Sequence, residues 1–382
     1  MNAYIVYQNK KPFLRKIPIP FSQQKTLPHG KLVVQVHYAS LNPADYKTAD
    51  GEHDHLINFQ YPRVLGFDFA GKVVKTCDNS EFQVGNAVFG MIQGLPNYQT
   101  GTLANFTLVD ESICSKCPSS LSLKECAAIP LVGITSIKAL DICRLKKGEH
   151  VLILGGSGGV GTMAIQLAKH VYKASHITTT ASTPEKISTC YELGADEVMN
   201  YKSVDYLQIL FQKKQQFDVI LDCVGSASNA MKLLAPKGRL CSIVVSPTSH
   251  AIRQWVFEQK MENQLKCCLY KIIWSNWGAH LLEFFNGAKT LKSNGIYHHV
   301  IGGGNGAIMK RLFNYLETKK IKPVIGKELT LDEIKEGFQL LRNGGILGKI
   351  VISVLNQRSL SCKDDNKSVG MTKMPIIKTK PI

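Results

Sequence analysis

Acidic residues are the scarce class in this chain: its 382 residues carry 29 Asp and Glu against 46 Lys and Arg, a formal net charge of +17. Such an imbalance points to an anionic partner, whether nucleic acid, an acidic membrane surface or a phosphorylated ligand. Long apolar runs are missing as well. Phe82 to Val109 carries no charge, but Gln83, Asn86, Gln93, Pro96, Asn97, Gln99 and Asn105 interrupt it, which excludes it as a bilayer span. The N-terminus, Met1-Asn2-Ala3-Tyr4-Ile5-Val6-Tyr7, has no basic flank and no Arg/Ser-rich amphipathic pattern, so a cleaved leader is not expected. The eleven cysteines are odd in number and show no repeating spacing, which excludes a disulfide framework and predicts reduced thiols in a cytoplasmic protein. There is no internal repeat, no RNA-recognition motif and no basic run interleaved with aromatics, so nucleic acid is not an expected partner. What remains is a folded chain, 44% hydrophobic, with the length of two to three domains.

Residues 1–125 read as short strands between Gly and Pro turns, among them Leu32–Val36, Phe69–Val74, Ala87–Gly90 and Phe106–Val109, which predicts a barrel-like all-β unit. At Ser122-Leu123-Lys124-Glu125 a capping box opens a helix, and from there strands alternate with helices to about residue 300. That alternation is the signature of a parallel sheet. The predicted strands are Val151–Leu154, Ile177–Ala181, Asp218–Asp222 and Leu240–Val245. A second capping box, Thr330-Leu331-Asp332-Glu333, precedes a helix whose apolar face is Ile334, Phe338 and Leu341, stopped by Gly344-Gly345. The strand Lys349–Val354 closes the folded part. Residues 356–382 hold six Lys and Arg against two Asp and read as a flexible basic tail.

The strand Val151–Leu154 runs into Gly155-Gly156-Ser157-Gly158-Gly159-Val160-Gly161, and an amphipathic helix follows. In that context the Gly-x-Gly-x-x-Gly pattern has a physical meaning. Its glycines permit a tight turn and close backbone approach, and the helix N-terminus offers unpaired N–H groups to a pyrophosphate. Sites that prefer NAD place an Asp or Glu about 20 residues beyond the glycines to hold the ribose 2′-hydroxyl. Here position 181 is Ala181, no carboxylate occurs between Thr162 and Pro184, and Ser182, Thr183 and Lys186 occupy the region. Hydroxyls and a cation favour a 2′-phosphate, and hence NADP(H). A charged hydrogen bond from Lys186 is worth roughly 1.5–3 kcal/mol, on the order of 10- to 100-fold in preference. The plain alternative for Lys186 is a solvated lysine at a helix start.

These residues, with Asn42-Pro43-Ala44-Asp45-Tyr46-Lys47, Pro62-Arg63-Val64-Leu65-Gly66-Phe67-Asp68-Phe69-Ala70-Gly71, Gly101-Thr102-Leu103-Ala104, Ala127-Ala128-Ile129-Pro130, Gly133-Ile134-Thr135, Leu193-Gly194-Ala195-Asp196, Phe217–Gly225, Ala235–Arg239 and Gly348-Lys349-Ile350-Val351, resemble the medium-chain dehydrogenase/reductase superfamily. The resemblance covers residues 3–354 and is to its zinc-free quinone oxidoreductase branch, the zeta-crystallin-like proteins. It implies an α/β fold, a doubly wound Rossmann parallel sheet plus a GroES-like β-barrel catalytic domain. Residues 1–130 and 302–355 would form the catalytic domain and 131–301 the NADP-binding domain. It also implies that Tyr201 joins Ser182 and Lys186 around the 2′-phosphate, that Thr135 lies near the nicotinamide, that Gly225 and Lys349 complete the cofactor site, and that the protein is a homodimer. Asn86, where the family has Asp, and Cys77, in place of a common Gly, depart from the pattern in turns.

Zinc-using relatives place ligands where this sequence has Asn42, Phe67 and Leu131, none of which can ligate zinc here. Cys114-x-x-Cys117 is half of a tetrahedral site, and these two read as reduced surface thiols. Without a Lewis acid, reduction of an activated acceptor fits better than alcohol oxidation. The expected acceptor is a quinone or an α,β-unsaturated carbonyl, with charge building on its oxygen. The Asn42 amide is a candidate donor to that oxygen, with holding the loop backbone as its plain alternative. Tyr46 and Lys47 are candidates to stabilise the enolate or return a proton. A second class of function rests on residues 251–300, where Trp255, Trp274 and Trp277 fall and Leu265, Cys268, Leu269, Ile272 and Ile273 form a stripe flanked by Lys266 and Lys271. Such a stripe is either core, as a wall of the substrate cleft or a dimer contact, or a peripheral membrane or lipid-droplet contact of an NADPH-binding protein with little catalysis.

Overall fold

Strands from the first part of the chain and from its last described part share one sheet, and that return of the chain sets up the functional region. The computed structural model describes residues 1–8, 11–19, 26–52, 61–92, 100–244, 296–299, 304–319 and 321–355. The three tryptophans, the apolar stripe between residues 265 and 273, the tail 356–382 and the expected domain junction at 301/302 lie outside the described residues. The first part of the chain supplies β1 (Asn2–Val6), β2 (Phe13–Lys16), β3 (Lys31–Leu41), α1 (Pro43–Ala49), β4 (Arg63–Val64), β5 (Asp68–Thr76), β6 (Ala87–Met91), β7 (Phe106–Asp110) and β8 (Cys114–Lys116). Helices α2 (Leu123–Ala127) and α3 (Pro130–Ile142) follow. Next come β9 (His150–Leu154), α4 (Gly159–His170), β10 (His176–Ala181), α5 (Pro184–Glu192), β11 (Glu197–Asn200), α6 (Tyr206–Gln212), β12 (Phe217–Asp222), α7 (Ala227–Ala230), β13 (Leu234–Ser242) and β14 (Ile296–His299). The end of the described chain is α8 (Gly306–Lys319), β15 (Ile325–Thr330), α9 (Ile334–Asn343) and β16 (Lys349–Ser353).

Strands β9 to β14 form a six-stranded parallel sheet in the order β11-β10-β9-β12-β13-β14. Counted from β9 this is 3-2-1-4-5-6, the doubly wound order that leaves a crevice at the carboxyl ends of the strands where it reverses. The seven-stranded sheet runs β15-β16-β3-β5-β6-β8, with β7 also paired to β3, and β2-β1-β4 make a small antiparallel sheet beside it. In the larger sheet β16 pairs antiparallel with β3, Ile350 opposite Leu41, while β3 pairs with β5, Ser40 opposite Asp68. Those two registers bring Ser40, Asn42, Asp68 and Lys349 to the same corner.

Apolar packing fixes these layers. β3 and β16 present Leu32, Val34, Val36, Ile350 and Ile352 to a core closed by Ile334 and Phe338 of α9. On the parallel sheet, Met163, Ala164, Leu167 and Ala168 of α4 pack with Val151 and Ile153. Each fully buried aliphatic side chain contributes roughly 1.5–3 kcal/mol. Helix α3 is buried on nearly all sides, and packs on α4 and α8, as expected of a helix without a polar face.

Both capping boxes form, the Ser122 hydroxyl accepting from Glu125 N and the Glu333 carboxylate accepting from Thr330 N. The second opens a single 3₁₀ turn, Leu331–Glu333, ahead of α9. The expected strand at Leu240–Val245 is shifted: β13 starts at Leu234 and ends at Ser242, whose hydroxyl donates to Asp222, and Val245 lies outside the described residues. The two departures from the family pattern are absorbed locally. Asn86 Oδ1 accepts from Gln83 N at 3.1 Å, and Cys77 Sγ accepts from Gly30 N at 3.2 Å. Among the described residues no helix is long and apolar enough to cross a membrane.

Arg239 on β13 ties the sheet to the turn before β9. Its Nε donates to Cys143 O at 2.7 Å and its two terminal nitrogens hold the Glu149 carboxylate at 3.0 and 2.7 Å. Arg239→Ala is expected to cost roughly 1.5–3 kcal/mol, the range for charge-assisted bonds, read as a lowered melting temperature. An unchanged melting temperature would show that the clamp adds nothing.

Candidate active site

A buried charged cluster sits where β3, β5 and β16 meet. Asn42 caps α1 in extended conformation, Pro43 follows at the first helical position, and Asp45 Oδ2 accepts from Asn42 N at 2.7 Å. Asp68 is fully buried (0% exposed) and satisfied on both oxygens. Its Oδ2 accepts from Ser40 Oγ at 3.0 Å, Asn42 Nδ2 at 2.9 Å and Lys349 Nζ at 3.3 Å, and its Oδ1 accepts from the N–H of Leu131 in the first turn of α3 at 2.9 Å. The Lys349 ammonium, 4% exposed as a residue, donates also to Leu41 O and to Asn42 Oδ1. Its three donors are thereby used.

Asn42 therefore differs from its expected role. Its amide nitrogen donates to Asp68 and, at 3.5 Å, to Ser40 O, its oxygen accepts from Lys349, and the residue is only 2% exposed, so the side chain holds the corner together. Burial pushes the Asp45 carboxyl up to about 8, against the pull of the Asn42 N–H, and the neighbouring Asp68 charge raises it further. Burial likewise lowers Lys349, opposed by the charges of Asp68 and Asp45. With Asp45 protonated at neutral pH, one cation faces one anion and the cluster is balanced. Removing one partner of such a buried pair typically costs about 3–5 kcal/mol.

Next to this corner lies the glycine loop. Gly155, with φ +83°, turns the chain out of β9, and its N–H donates to Thr180 Oγ1. A Cβ on Gly161 would stand 2.2 Å from Gly155 O, so the helix start approaches the loop more closely than any other residue permits. Gly158 caps α4, and the N–H groups of Gly159, Val160 and Gly161 belong to its first turn, where they have no intrahelical acceptor. Gly348 N donates to Ser157 O at 2.8 Å, and the Lys349 stem lies against Gly159. Across the crevice Asp222 shapes a second loop, its Oδ1 accepting from the N–H groups of Val224, Gly225 and Ser226 at 3.0, 2.9 and 3.1 Å.

The register Ala181 opposite Asn200 brings Ser182 and Tyr201 side by side at the carboxyl ends of β10 and β11. Thr183 caps α5, accepting from Lys186 N, while the Lys186 ammonium donates to the Gly345 carbonyl. Lys186 is 8% exposed, not the solvated lysine of the plain alternative. Tyr201 is 46% exposed. Thr135, on α3, is buried, and its hydroxyl has no hydrogen-bond partner among the described residues. Open first-turn amides, hydroxyls and a cation past β10, and an unpartnered buried hydroxyl make a site that fits a phosphorylated dinucleotide.

Tyr46 and Lys47 lie on the less buried side of α1. Arg342 of α9 braces that side: it grips Asp50 with two bonds of 2.7 Å and lies 5.0 Å from the Tyr46 ring centre. Burial raises the Tyr46 hydroxyl above its ordinary value. Lys47 is 3.9 Å from Glu52. The thiols at 114 and 117 are not both on the surface. Cys114 is buried, and its thiol donates to Asp110 O. Among the described residues no three His, Cys, Asp or Glu gather in a metal-holding arrangement. Asp68, Asp222 and Arg342 were not singled out as site residues from the sequence, although Asp68 and Asp222 stand inside motifs that were.

Two family models match, "Alcohol dehydrogenase GroES-like domain" over residues 28–119 and "Zinc-binding dehydrogenase" over residues 193–352. Among curated proteins, the 2-methylene-furan-3-one reductase of Solanum lycopersicum is 29% identical over 336 residues, covering 84% of this chain and 71% of that protein. A zinc-type alcohol dehydrogenase-like protein of Staphylococcus aureus is 32% identical over 258 residues, 64% of this chain and 69% of that protein. Among solved structures, the quinone oxidoreductase from Coxiella burnetii superposes with a TM-score of 0.72 at 25% identity, covering 93% of this chain and 99% of that one.

The cluster has a pH signature. Because the Asp45 carboxyl titrates near 8 when folded and near its ordinary 3.8 when unfolded, its contribution to stability is complete below about pH 4 and is lost as pH rises through about 8. Asp45→Asn should flatten the fall of melting temperature between pH 5 and 8, removing a slope of at most ~1.4 kcal/mol per pH unit. Parallel pH profiles for the two proteins would refute the assignment.

Proposed function

The chain belongs to the medium-chain dehydrogenase/reductase superfamily, and we propose that it is a zinc-independent, NADPH-dependent reductase of quinones or α,β-unsaturated carbonyls. The observation that carries this reading is the make-up of the corner at residue 42. Where metal-using relatives place ligands, this chain has Asn42, Phe67 and Leu131, and the adjacent carboxylate of Asp68 is already taken by Lys349, Asn42 and the Leu131 N–H. Such a site suits an acceptor already activated by conjugation. The tomato relative is named for reduction of a 2-methylene-furan-3-one, itself a conjugated enone, and the superposed structure for reduction of a quinone.

NADPH, when bound, supplies hydride from nicotinamide C4. The first-turn amides of α4 receive the pyrophosphate, and Ser182, Lys186 and Tyr201 hold the 2′-phosphate. The Thr135 hydroxyl meets the nicotinamide end, and Gly225 lets the backbone pass close to the cofactor. Asn42 and Lys349 act from behind, fixing α1 and the glycine loop without contributing a free donor. Residues 1–130 with 302–355 form the catalytic unit on this reading, and 131–301 the cofactor unit. As negative charge builds on the acceptor oxygen, Tyr46 and Lys47 on the exposed side of α1 stabilise it, and one of the two returns the proton.

NADPH oxidation against a panel of quinones, enones and enoyl thioesters, with NADH as control, tests the reading; inactivity across the panel would overturn it. Lys186→Ala should narrow the NADPH/NADH ratio of kcat/KM by on the order of 10- to 100-fold. Equal use of both cofactors by the unmodified protein would remove the phosphate pocket. Of Tyr46→Phe and Lys47→Met, the variant that removes the proton source should lose on the order of 100-fold in kcat. If neither falls, both roles are withdrawn.

A further inference from the structure

Eight consecutive residues, Arg342 to Lys349, touch α1, the first turn of α5, the glycine loop and the Asn42–Asp68 cluster. Arg342 holds Asp50 and the Tyr46 ring on α1. Helix α9 then stops at Gly344 and Gly345, with φ of +68° and +83°, conformations that only glycine adopts without strain. The Gly345 carbonyl accepts from the Lys186 ammonium at the start of α5. Three residues later the Gly348 N–H donates to Ser157 O, and Gly348 bridges to Gly158 in the glycine loop. Lys349 follows, with its ammonium in the Asn42–Asp68 cluster. A cation in the first turn of α5 opposes the helix dipole, so Lys186 gains by reaching an acceptor outside its own helix.

We propose that the turn Gly344–Gly348 is a strap that carries recognition of the adenosine-side phosphate to the reacting end of the site, with Lys186 as the positioning residue that links them. The proposal rests on the NADP(H) reading. An ammonium has three donors, and Gly345 O takes one, which leaves two for a phosphate. A phosphate that fixes the long Lys186 side chain removes the freedom it otherwise loses in holding Gly345, so the two bonds support each other. A strap held at Gly345 keeps Gly348 on Ser157 and Arg342 on Tyr46. Coupling of this kind is reciprocal: loosening the turn weakens the phosphate in equal measure. NADPH then differs from NADH in how firmly the catalytic side is held as well as in affinity.

The test uses the full chain and two nucleotide fragments, adenosine 2′,5′-bisphosphate and 5′-AMP, with binding measured by calorimetry and amide exchange followed across residues 342–349. At saturation the bisphosphate should slow exchange of the Gly348 amide by about five-fold, while 5′-AMP leaves it unchanged. Lys186→Arg should retain the slowing and Lys186→Met abolish it. Gly345→Ala, whose added Cβ would lie 3.8 Å from the Lys186 ammonium without a clash but at a strained φ, should lower the bisphosphate/5′-AMP affinity ratio about five-fold. Tighter binding of the bisphosphate with unchanged or faster exchange at Gly348 overturns the strap and leaves the cofactor reading standing. Equal affinity for the two fragments overturns the cofactor reading, and the strap falls with it.

Discussion

The buried pair of Lys349 and Asp68 is the constraint on which the architecture turns. It joins the last strand of the described chain to the start of β5, and through the other oxygen of Asp68 it anchors the first turn of α3, the helix that separates the two sheets. A charge pair this deep is expensive to build and more expensive to break. The chain lowers that cost by giving every donor and acceptor a partner: three for the ammonium and four for the carboxylate. Asn42 is the residue that makes the count close, since its amide serves the anion and its carbonyl the cation.

The same pair positions the glycine loop. With the ammonium pinned at Asn42, the Lys349 stem is laid against Gly159, and Gly348 is set in register with Gly158. The glycine at 159 is thus explained from both sides, by the open helix terminus it exposes and by the lysine stem that leaves no room for a side chain. Balance within the cluster depends on Asp45 keeping its proton, which ties the electrostatics of the corner to the cap of α1 and so to the turn that carries Tyr46 and Lys47.

Most of the layer structure was legible in the sequence because it is written in local pattern. The strand-to-glycine-to-helix succession at 151–161, the two capping boxes and the missing carboxylate after β10 each depend on residues close in the chain. The roles of Asn42 and Lys186 were less legible for one shared reason: their partners are distant. Asn42 meets Lys349 only because β16 returns to β3, and Lys186 meets a backbone carbonyl 159 residues away, which no side-chain pattern announces. Arg342 was invisible for the same reason, and a polar residue on the exposed side of an amphipathic helix looks like any solvated arginine. Cys114 reads as a surface thiol by its spacing to Cys117 but is buried by the short strand it begins. Local chemistry predicts what a residue can do; the fold decides whether its groups are still free to do it.

The charge excess takes on a different meaning in that light. A value of +17 is a bulk property, screened over roughly 8–10 Å at physiological salt, and it says little about a crevice. The cations that organise the site are those given fixed acceptors, the buried Lys349 on a carboxylate, the buried Lys186 on a carbonyl and the exposed Arg342 on Asp50 and an aromatic face. An ammonium already oriented on a carbonyl would spend less of an anionic ligand's binding energy on ordering its side chain. Placement rather than number is what gives these three cations their part in the site.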